Sequence, residues 1–62
     1  MLKDYPEILT IQELCEVLNI VKNTAYSLLQ AKQIKGFKIG SNWKIPKIAI
    51  EDYIRQSSNH TV

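Results

Sequence analysis

Between Val17 and Ile50 the chain has no aspartate or glutamate. The same window holds six lysines, at 22, 32, 35, 38, 44 and 47, so the middle carries +6 and the two ends together −4. A small domain so divided suggests a surface that faces a polyanion. The bland alternative is a solvated lysine face. The chain also has a single cysteine, which excludes an internal disulfide and a cysteine-built metal cage. It lacks the long apolar run of a membrane span and opens on no signal-peptide pattern, so an intracellular, cytoplasmic protein is expected. Sixty-two residues make one small domain, and a chain of this size buries only about 60% of the surface it exposes unfolded. That leaves too little chain to wall an active site off from water. No nucleophile–base pair, metal set or phosphate loop is in evidence, so neither enzymatic activity nor a cofactor is expected.

What is present has a readable order. Residues 1–9 are expected to form an arm, with Pro6 breaking any early helix. Thr10 precedes Glu13 by three, the capping-box spacing. Ile11, Leu14, Cys15 and Leu18 then make one apolar stripe at helical period. Asn19, tolerant of the left-handed conformation, ends that helix. A second helix is expected from about Lys22 to Lys32, with Ala25, Leu28 and Leu29 turned inward. So short a turn between two short helices is the helix-turn-helix pattern.

Beyond Ile34 the period becomes alternating: Phe37-Lys38-Ile39 and Trp43-Lys44-Ile45 flank Gly40-Ser41-Asn42. A three-residue loop would pair Ile39 with Trp43, Lys38 with Lys44 and Phe37 with Ile45, keeping the apolar residues on one face. After Pro46 a third helix is expected, roughly Lys47 to Arg55, with Ile50, Tyr53 and Ile54 inward and Glu51 and Asp52 early, near the positive end of its dipole. The domain therefore spans 10–56, and 57–62 is expected as a flexible polar tail. The fold class is mainly α with a small β-hairpin: a winged helix-turn-helix.

The run from Leu9 to Ile54 resembles the excisionase family, small DNA-binding domains related to the MerR-like winged helices. Leu9-Thr10, Glu13, Leu18, Thr24 with Tyr26, Gly40, Ile45-Pro46 and Tyr53 carry the resemblance, in order and spacing. Two positions depart from it. Asn19-Ile20-Val21 stands where the family has Gly-x-Ser or Gly-x-Thr, and Gln33 replaces a glycine after the recognition helix. The resemblance implies a protein without catalytic activity, bacterial or phage-encoded, that binds and bends double-stranded DNA at an attachment site. Its partners would be an integrase of the tyrosine recombinase class and further copies of itself on adjacent sites. The runner-up is a small transcriptional regulator with the same fold. A protein-interaction module facing an acidic partner is the third reading.

The second helix has a polar but nearly uncharged outer face, and reading base edges takes hydrogen-bonding side chains more than charge. Asn23 can be bidentate to adenine. Ser27 can reach a base or phosphate, Tyr26 a phosphate or a thymine methyl, and Lys22 guanine or a phosphate. Thr24 adds a further hydroxyl. In the wing, Lys38 and Lys44 would hold the backbone while Ser41 and Asn42 enter a groove. Cys15 and Trp43 are expected in the core, and Tyr26 is open between DNA contact and packing. His60 lacks companions for a metal site. The tail from Ser57 to Val62 is the expected place of integrase contact.

Overall fold

The computed structural model describes residues 2–59. Its elements are β1 (Ile8–Leu9), α1 (Ile11–Leu18), α2 (Lys22–Gln30), β2 (Phe37–Ile39), β3 (Asn42–Pro46) and α3 (Lys47–Asn59). This is a winged helix-turn-helix. The start of α1 is fixed by its own sequence: the Thr10 hydroxyl accepts from the Glu13 N–H at 3.2 Å, and the Glu13 carboxylate accepts from the Thr10 N–H at 3.0 Å. Its end is fixed by Asn19, left-handed at φ 56°, after which the Ile20 N–H donates to the Cys15 carbonyl at 3.1 Å. Those two caps hold the turn to three residues. No helix among the described residues is long and apolar enough to cross a membrane.

The strands form one antiparallel sheet in the order β1-β3-β2. Its register corrects the three-residue loop. Phe37 pairs with Lys44, Lys38 with Trp43 and Ile39 with Asn42, so Gly40-Ser41 make a two-residue turn. Gly40 has φ +62°, as a type II′ turn requires at its first central position. Turn chemistry here overrides the apolar pattern. The inward face is filled by Ile45 and Trp43, with Gly36 beneath Leu29: a Cβ on Gly36 would lie 2.9 Å from Leu29 Cδ2 and 3.3 Å from the Lys44 carbonyl oxygen. Phe37 and Ile39 instead face outward, at 47% and 59% exposure.

The expected arm is also corrected. Ile8 pairs with Pro46 and Leu9 with Ile45, and both Leu2 and Leu9 are buried. Lys47 locks this segment down. Its N–H donates to the Glu7 carbonyl at 2.7 Å, and its ammonium lies 3.5 Å from the Glu7 carboxylate and 3.4 Å from the Tyr5 carbonyl oxygen. The core gathers Leu2, Leu9, Leu14, Ala25, Leu29, Ile34, Ile45 and Ile50 from every layer. Tyr53 and Ile54 pack partly buried around it, as do Cys15 and Trp43.

The third helix is longer than expected, running on to Asn59, so Ser57 to Asn59 are helical rather than part of a flexible tail. Because it begins at Lys47, Glu51 and Asp52 fall beyond its first turn, where the dipole is weak. His60 to Val62, including the histidine set aside as a metal ligand, lie outside the described residues.

Candidate nucleic-acid interface

The second helix is anchored by Ala25 and Leu29, both buried. Successive residues turn by about 100°, which fixes where the others point. Asn23 and Ser27 fall opposite the buried pair and are exposed. The Ser27 hydroxyl donates to the Asn23 carbonyl at 3.0 Å, which leaves its oxygen free to accept. Lys22 and Tyr26 occupy one flank and Thr24 and Leu28 the other. The helix starts at Val21, which has the extended geometry of a cap but no side-chain hydrogen bond. Three N–H groups at its head therefore lack a side-chain acceptor.

Lys22 and Tyr26 meet the wing across a cleft of about 420 Å³. Ser41, Asn42, Trp43 and Lys44 form its opposite wall, and Thr10, Ile11 and Gln12 close it at the head of α1. No carboxylate lines it. Among the described residues neither Lys22 nor Lys44 has an ion pair. The cleft thus offers two ammonium groups without an ion pair, a phenol, two amides and hydroxyls, between an outward-facing helix and a ribbon tip. Groups of these kinds can contact phosphates and hydrogen-bonding base edges.

Of the residues singled out by sequence, Lys22, Tyr26, Ser41, Asn42 and Lys44 line this cleft, and Asn23 and Ser27 stand exposed beside it. Thr24 does not join them. It lines an apolar groove of about 500 Å³ with Leu18, Ile20, Leu28, Tyr53 and Ile54, on the other flank of α2. Lys38 is not opposite Lys44, as the three-residue loop would have it. The two alternate onto opposite faces of the ribbon, and the Lys38 ammonium sits 5.9 Å from the centroid of the Trp43 ring. The like-charge pairing of Lys38 with Lys44 that the three-residue loop would impose is therefore absent. Gln12 was missed by sequence reasoning. Its signal was available: it is the polar position between Ile11 and the rest of the apolar stripe, at the exposed head of α1.

Helix, tight turn, helix and ribbon, arranged about a basic cleft, define a DNA-binding helix-turn-helix protein. Comparison with protein families places it accordingly: residues 8–58 match the model described as "Helix-turn-helix domain", and the chain belongs to that family. No curated protein and no solved structure matches the chain.

Proposed function

We propose that this DNA-binding protein is an excisionase-like directionality factor. It binds specific sequences in the attachment region of a mobile element, bends that DNA and assists integrase-mediated excision. The reading is supported by one observation above the others: Lys22 and Tyr26 of α2 and Ser41, Asn42 and Lys44 of the wing converge on a single carboxylate-free cleft. In this reading Asn23, Tyr26 and Ser27 read base edges in the major groove. Lys22 and Lys44 neutralise phosphates, and Ser41 and Asn42 follow the adjacent groove.

The dimensions favour assembly over solitary binding. Nine residues of α2 at 1.5 Å each span about 14 Å, the rise of about four base pairs. One copy therefore specifies little. Adjacent copies multiply the specificity, and bending between them makes sequence-dependent flexibility part of site choice. The motif order from Leu9-Thr10 to Tyr53 supports the excisionase role, and the same DNA face would serve a small transcriptional regulator.

Circularly permuted fragments of the attachment region next to a recombinase gene separate the two. The expected result is several occupied sites, a bend between them, and faster excision in a purified reaction with the integrase. Unbent fragments and indifferent excision, with a nearby promoter responding instead, would establish the regulator.

A further inference from the structure

A depression of about 350 Å³ shares no lining residue with the DNA cleft. It opens where the chain leaves α2 and where α3 begins. Pro46, Ile48 and Ala49 give it an apolar floor, and Lys32 and Lys35 stand at its rim. Ile48 is 66% exposed, an unusual position for isoleucine beside two cations. Among the described residues neither lysine has an ion pair. The one carboxylate in the lining, Asp52, accepts from the Arg55 guanidinium at 3.3 Å.

Lys32 is held in the left-handed region at φ 60°, where glycine alone is free of strain. A lysine kept at such a position, beside a second unpaired lysine, supplies charge at a conformational cost. Pro46 is paired with Ile8 in the sheet, and Ile8 is itself exposed. A phosphate backbone gains nothing from Ile48. An apolar side chain between carboxylates satisfies both the floor and the rim.

We propose that this depression docks a partner protein through a short segment in which one large apolar side chain is flanked by aspartates or glutamates. Because the DNA cleft lies elsewhere, the partner binds while the protein remains on DNA.

The probe is a blocked five-residue peptide, a leucine with two aspartates on each side, titrated into the isotope-labelled full chain. Amide shifts are expected in residues 32–35 and 46–53 and not around Lys22 or Ser41. Replacing the peptide's leucine by serine, or its aspartates by lysines, should remove them. Lys32→Gln with Lys35→Gln should weaken binding about fivefold, and Ile48→Ser about tenfold. All three positions are exposed, and glutamine at 32 meets the same backbone strain as lysine, so the variants keep the fold. The salt dependence of DNA binding should be unchanged in the double lysine variant.

Absence of shifts at millimolar peptide, or shifts in the DNA cleft instead, would overturn the proposal. So would a salt slope reduced by about 2 in the double variant, which would make both lysines phosphate contacts. Self-association of the free protein abolished by Ile48→Ser would assign the surface to a second copy.

Discussion

Val21 sits at the head of α2 with φ −83° and ψ 162°, the backbone of a capping residue without the oxygen that caps. It is 68% exposed, so replacing it sacrifices little burial. Val21→Ser should supply an acceptor to the N–H groups of the first turn and stabilise the protein by about 1 kcal/mol. In a domain of this size that raises the melting temperature by roughly 4–8 °C, readable in a thermal scan. Gly36 behaves oppositely. Gly36→Ala should cost about 1–3 kcal/mol in urea denaturation, because the new methyl meets buried Leu29 and the Lys44 carbonyl. These two residues also mark what a sequence discloses. The Thr10–Glu13 box and the Asn19 cap were legible because each motif is local. The constraint on Gly36 was not, since it comes from a leucine brought over it by α2.

Elements add direction to chemistry. Asn23 and Thr24 are neighbours in sequence yet lie on different sides of α2, one exposed on the outward face and the other lining the apolar groove. Asn23→Ala should therefore weaken cognate binding by about 1–3 kcal/mol and leave random DNA nearly unaffected. Thr24→Val should change neither, in paired titrations on the two duplexes. Equal losses on both duplexes for Asn23→Ala would remove it from the reading set. The wing's lysines separate in the same way. Lys44→Ala should reduce the slope of log affinity against log salt by about 1. Lys38→Ala should act chiefly on stability, at about 0.5 kcal/mol, through the lost contact with Trp43. The existence and type of α1, α2 and the ribbon could be read from periodicity. The register of the ribbon could not, because keeping Phe37 and Ile39 inward satisfies the pattern but ignores the two-residue turn that Gly40 sets at positive φ.

At the scale of the molecule, charge segregation was visible in the sequence, and the structure refines it. Lys47 is spent internally on Glu7 and Tyr5, which leaves five lysines of the acid-free window without an internal ion pair among the described residues. The strand β1 was illegible, since two residues give no period. It nevertheless closes the sheet and brings Leu2 and Leu9 into the core. Deleting residues 2–9 should consequently abolish the cooperative unfolding transition by circular dichroism, where loss of a loose arm would leave it intact.

The pairing of β1 with β3 also bears on how the protein comes into being. Synthesis proceeds from β1 toward α3, so the strand made early must wait for Ile45 and Pro46, its partners near the far end of the ribbon. The two helices of the turn can coil as they leave the ribosome, since their contacts are close in sequence. The sheet cannot. Until the ribbon emerges, Leu2 and Leu9 stay uncovered, and this segment of the nascent chain offers apolar side chains that chaperones or neighbouring chains can seize.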